Sequence, residues 1–172
     1  MNVTKEVNLA AKWILDGKVI AYPTEGVWGI GGLDLAQNIK VINSAKERTK
    51  NKKYILLFHS FQQLVKQFDI EDKYYPLIKT MENTFTTILI PTTQKKIAIR
   101  IPGDKNLLYF LKLIDKPIIS TSANLSGEMT CRNIEEIKNV FDGKIFGAFD
   151  GHLGGEKKPS KILDLENNEI IR

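Results

Sequence analysis

The chain has 172 residues, is 42% hydrophobic and 26% charged, and carries a formal net charge of +5. These values are ordinary for a soluble globular protein, and we expect one domain over residues 1–172. No window approaches the ~18 consecutive apolar residues of a membrane span, the first residues lack a signal-peptide pattern, and one cysteine excludes an internal disulfide, so the expected location is cytoplasmic.

Apolar residues near the amino terminus recur at helical spacing and are followed by a short apolar run. Residues 4–16 predict a helix capped by Thr4, and residues 19–22 predict a strand. Asp34 and Gln37 match a capping box, which predicts the start of a second helix.

The same criteria predict helices and strands along the rest of the chain. Three further helices have capping residues, Ser60, Asp104 and Asn133, and residues 73–82 predict another helix. The remaining apolar runs predict strands at 54–58, 85–90, 96–101, 116–119 and 145–149, and a hairpin of 162–165 with 169–171. Early alternation of strands and helices followed by hairpins predicts an α/β domain with a mixed sheet and packed helices.

The segment 23–32 combines a hydroxyl, a carboxylate and four glycines. Thr24 and Glu25 directly follow the predicted strand. Glycine permits close approach of the backbone to a ligand, but Asp34 stands where the third glycine of a dinucleotide fingerprint belongs. No phosphate-binding Gly-x-x-x-x-Gly-Lys-Ser/Thr sequence occurs. The segment predicts either a ligand-binding turn or a tight connection between a strand and a helix.

A basic cluster follows the second predicted helix. Its regular positions are Lys46, Arg48 and Lys52, with Lys50 and Lys53 beside them. Cations at this spacing can clamp a triphosphate and neutralise charge during phosphoryl or nucleotidyl transfer. A solvated helix end is the more common reason for such a run, and the cluster alone leaves both interpretations open.

The segment 120–127, Ser-Thr-Ser-Ala-Asn-Leu-Ser-Gly, follows a predicted buried strand. Side chains alternate faces on an extended backbone, so Ser120, Ser122 and Asn124 would share one face. Such a row of neutral donors and acceptors can bind a phosphate, a carboxylate or a base. A Ser/Thr-rich turn at the end of a strand is the equally plausible alternative.

Isolated charged and titratable residues are weaker indicators of function than these three segments. Arg100 interrupts an apolar strand, where it is either an edge residue or an anion ligand. Neither His59 nor His152 has a neighbour at metal-ligand spacing, and no Gly-x-Ser-x-Gly sequence accompanies them. We therefore expect no protein-built metal site and no Ser-His-Asp hydrolase.

The order of these segments resembles the YrdC-type threonylcarbamoyl-AMP synthases over nearly the whole chain. The resemblance rests on these segments: Pro23-Thr24-Glu25 with Gly29-x-Gly31, Lys46-x-Arg48-x-x-x-Lys52, Ile97 to Arg100, Ser120 to Gly127, and Pro159-Ser160. The chain is also expected to correspond to the short members that lack an extra carboxy-terminal domain.

The resemblance implies both a fold and a reaction. The implied fold is a twisted α/β sheet curved around a basic cavity. The implied reaction joins L-threonine, bicarbonate or CO2, and ATP into threonylcarbamoyl-adenylate and releases pyrophosphate. The product serves threonylcarbamoyl modification of adenosine 37 in tRNA through downstream transfer proteins. Magnesium is expected with ATP, and binding of tRNA or double-stranded RNA is a further expectation.

The resemblance also implies residue roles by motif match. Catalytic contacts to ATP phosphates fall to Lys46 and Arg48, with Lys52 beside them. The other residues implied at the nucleotide are Thr87, Asn124, Arg132 and Arg172. The residues implied at threonine are Thr24, Ser122, Ser160 and, at its carboxylate, Arg100, with Ser120 close by.

Several positions depart from the family pattern. Thr49 replaces a usual proline, Lys53 a small residue, and Lys161 a frequent threonine, while residues 83–85 replace a Pro-Gly-Pro-like turn. These departures bear on loop geometry and substrate affinity more than on reaction class. The glycine-rich loop 151–158 is a candidate lid over the cavity.

Two other functions fit the same pattern. A non-enzymatic RNA-binding module would use the basic surface, although few aromatic residues accompany the basic cluster. A regulatory relative that kept the cavity and lost activity is a lesser alternative.

Overall fold

A computed structural model describes residues 1–48 and 54–171. The sequence-based assignments at Thr49, Lys52, Lys53 and Arg172 lie outside the described residues. Within the described ranges, every helix is too short or too polar to cross a bilayer.

The strands form a single mixed sheet with the order β1-β8-β2-β3-β7-β4-β6-β5-β9-β10 in the described residues. The strands are β1 Asn2–Thr4, β2 Ile20–Pro23, β3 Trp28–Leu33, β4 Ile55–Leu57, β5 Thr86–Pro91, β6 Lys96–Arg100, β7 Ile118–Ser122, β8 Gly147–Phe149, β9 Lys161–Asp164 and β10 Glu169–Ile170. Four pairs are parallel, β1/β8, β2/β8, β4/β6 and β5/β9, and the other neighbours are antiparallel. The predicted mixed α/β sheet is confirmed.

Helices pack on both faces of this sheet. The helices are α1 Val7–Leu15, α2 Ala36–Ala45, α3 Phe61–Gln67, α4 Tyr75–Met81, α5 Lys105–Ile114 and α6 Ile134–Phe141, with a 3-10 turn at Asp72–Tyr74. One core contains buried residues of α1 and α5, and the other contains residues of α2, α3, α4 and α6. Alternation along each strand divides the side chains between these cores, as Ile118 and Ile119 of β7 show.

The face that carries α1 and α5 positions the cavity. Ile118 of β7 lies in the core of that face, and alternation places Ser120 and Ser122 on the same side. In β6 the same face carries Ala98 and Arg100, because Ile97 and Ile99 belong to the opposite core. Beside the start of α5 this face is not filled by core side chains, and the cavity described below lies there.

Helix capping matches the sequence at three of the predicted starts. The Ser60, Asp104 and Asn133 side chains each accept a hydrogen bond from the backbone N–H three residues later. The capping box predicted at Asp34 is wrong. The N-cap position of α2 is Leu35, one residue after Asp34, and it has no side-chain cap. The cap predicted at Thr4 is also wrong, because Thr4 ends β1 and α1 starts at Val7.

Most of the glycine-rich segment forms strand β3, where the sequence predicted either a ligand-binding turn or a tight connection between a strand and a helix. Gly29 and Gly31 lie inside β3, between β2 and β7. The Tyr22 side chain lies beside both positions, and at Gly31 an added side chain would collide with it. A methyl group at Gly31 would lie 2.7 Å from the Tyr22 hydroxyl oxygen and would overlap the Ile119 carbonyl oxygen. The glycines therefore make room for packing within the sheet.

We expect the substitution Gly31→Ala to lower the free energy of unfolding by at least about 2 kcal/mol, because the added methyl group overlaps backbone that cannot move aside. Gly155→Ala is the matched control, since a methyl group there meets no atom within 4 Å. Its stability should stay within about 0.5 kcal/mol of the wild type. Urea unfolding measures both, and equal midpoints for the two variants would contradict this account.

Candidate functional site

A cavity of about 390 Å³ opens on the sheet face beside the start of α5. Its volume falls within the range of pockets that bind small molecules. Aliphatic side chains from β4, β5 and β6 form one part of its wall, and hydroxyl groups and two arginines form another. Six of the predicted site residues line it: Thr24, Arg48, Thr87, Arg100, Ser122 and Ser160.

Arg100 is buried on β6 with a carboxylate beside it. Its guanidinium pairs with Glu25 and lies 4.6 Å from the centroid of the Phe85 ring. Burial lowers the pKa of Arg100 to about 10, so the group remains a cation at neutral pH. Its Nε atom is buried and has no hydrogen-bond partner in the described residues. Arg100 thus contributes a buried cation to the cavity wall, and its Nε lies beneath that surface without a partner.

Glu25 connects this arginine to the backbone around it. Its Oε1 atom accepts hydrogen bonds from the N–H groups of Gly103, at 2.8 Å, and Asp104, at 3.2 Å. Those residues directly precede α5. The adjacent Thr24 hydroxyl donates to the Val27 carbonyl at 2.6 Å, which closes the turn between β2 and β3. The turn is therefore held by the same carboxylate that orients Arg100.

The loop 151–158 lies against this turn. The Gly154 N–H donates to the Thr24 carbonyl at 2.8 Å, and the Glu156 N–H donates to the Glu25 carbonyl at 3.0 Å. The Cα of Gly26 packs so closely against the Lys158 carbonyl that a side chain would not fit. The loop thus packs on the turn that carries Thr24, but none of its residues is among those that line the cavity, and its role as a lid stays a prediction.

Arg48 supplies a second cation to the cavity. It follows α2 and lies 5.4 Å from the centroid of the Tyr54 ring. The Tyr54 hydroxyl in turn donates to Asn43 at 2.5 Å, and burial raises the pKa of Tyr54. The Nη1 atom of Arg48 is buried and has no hydrogen-bond partner in the described residues. An anion in the cavity would satisfy it.

Lys46 holds the end of β7 from inside the protein. Its side chain is 1% exposed, and its ammonium donates to the Ser122 carbonyl and to both oxygens of Asn124, at 2.6 Å and 3.1 Å. The Ser122 hydroxyl also donates to the Asn124 side chain, at 2.6 Å. Lys46 and Asn124 stand directly behind Ser122 and are not among the residues that line the cavity.

Thr87 of β5 and Ser160, which directly precedes β9, form a buried pair. Their hydroxyl oxygens are 2.7 Å apart, and both residues line the cavity. The parallel pairing of β5 with β9 brings them together although they are 73 positions apart in sequence. No local sequence signal links them.

Arg132 lies apart from this cavity lining. Its side chain is 76% exposed and bonds to Glu136 one turn later through Nε, at 3.0 Å, and Nη2, at 2.8 Å. This contact raises the pKa of Arg132. Its predicted place at the nucleotide would require this exposed ion pair to rearrange.

Sequence reasoning gave no role to Glu25 or Tyr22. Both are buried and polar, and each contacts a residue that lines the cavity. Glu25 pairs with Arg100, and Tyr22 donates a hydrogen bond to Ser120. The sequence did contain a signal for Glu25. A lone arginine in an apolar strand requires a counter-charge, and the segments that carry the family resemblance include both Glu25 and Arg100. In residues 1–48 and 54–171, no group of three or more His, Cys, Asp or Glu side chains is arranged to hold a metal ion.

Comparison with known proteins identifies the family. The Sua5/YciO/YrdC family, described as telomere recombination, matches residues 12–172. The chain belongs to this family. It is 30% identical to the threonylcarbamoyl-AMP synthase of Aliivibrio fischeri over 182 aligned residues, covering 98% of both chains. It is 31% identical to the Pseudoalteromonas translucida enzyme of the same name, covering 100% of both.

Solved structures share the fold of this family member. The P. abyssi Sua5 structure complexed with L-threonine has a TM-score of 0.83 and 28% identity, covering 93% of this chain and 51% of that one. The chain thus spans about half the length of that protein. The E. coli YciO structure has the same TM-score at 22% identity, covering 96% and 87%. The predicted family and its twisted sheet are confirmed.

We expect Lys46→Met to lower the free energy of unfolding by about 2 kcal/mol or more, because the Ser122 and Asn124 oxygens would lose their buried donor. Lys144→Met is the matched control, since Lys144 forms a solvent-exposed ion pair with Glu47. Thermal unfolding measures both variants. A Lys46→Met protein as stable as the control would show that the ammonium does not support this segment.

Proposed function

We propose that this protein is a threonylcarbamoyl-AMP synthase that uses L-threonine, bicarbonate or CO2, and ATP. The observation that carries the proposal is the presence, in one cavity, of two arginines with a buried unsatisfied nitrogen each, Arg48 Nη1 and Arg100 Nε. The reaction brings together two anionic groups, a triphosphate and an amino-acid carboxylate. Relatives of this name at about 30% identity over nearly the full length support the assignment.

Arg100 would bind the threonine carboxylate. Its counter-charge Glu25 compensates part of its positive charge and fixes its orientation, which suits a site for a single negative charge. Thr24, Ser122 and Ser160 would contact the rest of the amino acid from the surrounding wall. The neutral hydroxyl groups can donate to or accept from the substrate without adding charge.

Arg48 would bind the ATP phosphates. It has no carboxylate partner in the described residues, so its full charge is available to a polyanion. We place Lys46 and Lys52 with it on sequence grounds, together with Thr87, Asn124, Arg132 and Arg172 at the nucleotide. For Lys46, contact with a phosphate would require its ammonium to exchange at least one of its bonds to the 122–124 segment.

The chemistry requires mainly positioning and charge stabilisation. The threonine nitrogen adds to the carbon of CO2 and loses a proton, which gives a carbamate. A carbamate oxygen then attacks the α-phosphorus, and the bond to the β-phosphate oxygen breaks to release pyrophosphate. Fixed cations stabilise the charge that moves onto the phosphate oxygens. Arg48 would provide such a cation at the phosphates, while Arg100 would hold the carboxylate of threonine in place.

We further propose that Mg²⁺ enters with ATP. The residues that line the cavity include neither Asp nor Glu in the described part of the chain, so they do not form a protein-built magnesium site. The ion would take most of its ligands from phosphate oxygens and water. We also propose that the product passes to cytoplasmic transfer proteins that modify adenosine 37 of tRNA.

The direct test of the proposed reaction is pyrophosphate release. We expect release from ATP to require both threonine and bicarbonate, and to fall to background when either is left out. Serine, which lacks only the methyl group, is a matched substrate control. Release that is indifferent to threonine would contradict the proposal, as would salt-sensitive RNA binding without any turnover, which the RNA-binding alternative predicts.

Substitutions of the two arginines should change different Michaelis constants in steady-state kinetics. We expect Arg100→Lys, which keeps a cation beside Glu25 but removes Nε, to raise KM for threonine by about tenfold or more while KM for ATP changes little. Arg48→Gln should show the reverse pattern. Each variant serves as the control for the other, and equal effects on both KM values would contradict the separate roles.

A further inference from the structure

Tyr22 makes a hydrogen bond that crosses one strand of the sheet. Its side chain starts on β2, passes over β3 and donates from its hydroxyl to Ser120 Oγ on β7, at 2.7 Å. Tyr22 is fully buried, whereas Ser120 lines the cavity. The bond therefore joins a residue inside the core to the wall of the candidate active site.

Two of the three glycines of β3, Gly29 and Gly31, lie beside this contact. Tyr22 pairs in register with Gly29, and Gly31 pairs with Ser120. A methyl group at Gly29 would lie 3.4 Å from both the Tyr22 ring and Ser120 Oγ, and one at Gly31 would lie 2.7 Å from the Tyr22 hydroxyl. Gly31 thus leaves the space that the Tyr22 hydroxyl occupies, whereas a methyl group at Gly29 would make only an ordinary contact with the ring. The Gly-x-Gly motif therefore serves packing within the sheet, in addition to any contact with a ligand.

The direction of the hydrogen bond is fixed by burial. Desolvation raises the pKa of Tyr22 far above its ordinary value, so the phenol remains protonated throughout the physiological range. Tyr22 is consequently a permanent donor, and Ser120 Oγ is the acceptor. The hydrogen of the Ser120 hydroxyl is not used in this contact.

Ser120 has a hydroxyl hydrogen that remains available. Among the described residues Tyr22 is its one side-chain partner, and no acceptor for the Ser120 hydroxyl is found. Thr24, Gly29 and Ser122 line the cavity beside it. A hydroxyl whose acceptor site is occupied from the core side presents its hydrogen toward the cavity.

We propose that Tyr22 is a positioning residue that fixes the Ser120 hydroxyl as a hydrogen-bond donor to a carboxylate-type oxygen of the amino-acid substrate. That oxygen belongs either to the carboxylate of threonine or to the carbamate formed from it. The inference rests on the proposed function and adds Tyr22 as a residue that positions Ser120, which the family resemblance already implies beside threonine. Polarisation by the tyrosine also strengthens Ser120 as a donor, because a hydroxyl that accepts one hydrogen bond donates a better one.

The test uses Tyr22→Phe, Ser120→Ala and the double variant, with Tyr75→Phe as the matched control. Tyr75, at the start of α4, packs against Phe61 of α3 and does not line the cavity. We expect each of the first two variants to lower kcat/KM for threonine by about five- to twentyfold. The double variant should be no worse than Ser120→Ala within about twofold, because the tyrosine acts only through the serine. The control should retain wild-type kinetics.

Calorimetric titration with threonine in the absence of ATP and bicarbonate separates the two oxygens. Weaker threonine binding by Tyr22→Phe assigns the contact to the carboxylate. Unchanged threonine binding with a lower kcat assigns it to the carbamate. Wild-type binding and wild-type kinetics in Tyr22→Phe would overturn the inference, and so would effects that multiply in the double variant.

A purely structural role is distinguished by stability. If Tyr22 served only the core, its variant would lower the unfolding temperature and leave kcat/KM of the folded fraction unchanged. Failure of the proposed function gives a different result, since the wild type itself would then release no threonine-dependent pyrophosphate. Threonine titration of the variants would still decide the role of Tyr22 in that case.

Discussion

The buried contact between Glu25 and Arg100 is the constraint on which the site depends. A buried arginine at the end of an apolar strand needs a counter-charge, since an unpaired buried charge is strongly destabilising. Glu25 provides it and also accepts the N–H groups that precede α5. The loop 151–158 bonds to the backbone of the same turn. One carboxylate thus ties together the turn after β2, strand β6, the start of α5 and the loop.

The remainder of the site follows from how the sheet is covered. Helices α1 and α5 cover one part of the sheet face, and the uncovered part becomes the cavity. Alternation along the strands then sends Ser120 and Ser122 from β7 and Arg100 from β6 into the same space. Lys46 stabilises the end of β7 from behind, so the hydroxyl wall stands on a fixed backbone. Rigid strands hold these polar groups in place before any substrate arrives.

Prediction from sequence succeeded where chemistry is local. Helix caps at Ser60 and Asp104 were predicted because a side-chain oxygen and an N–H three residues later are brought together by the helix itself. Prediction failed at Asp34 and in the glycine-rich segment, where the tertiary structure decided. The chain continues as β3 because β2 and β7 flank it, and the glycines accommodate Tyr22. A local pattern could not indicate a ring from a neighbouring strand.

The sequence by itself determined the family, the mixed α/β class and six of the polar residues that line the cavity, because motif order and strand alternation follow directly from residue types. Only the tertiary structure decided how those residues act on one another. Glu25 lies 75 positions from Arg100, and Tyr22 lies 98 positions from Ser120. Contacts over such separations depend on strand order and on which backbone lies between. The Gly-x-Gly pattern therefore acquires its meaning only when β3 lies between Tyr22 and the serine that it orients.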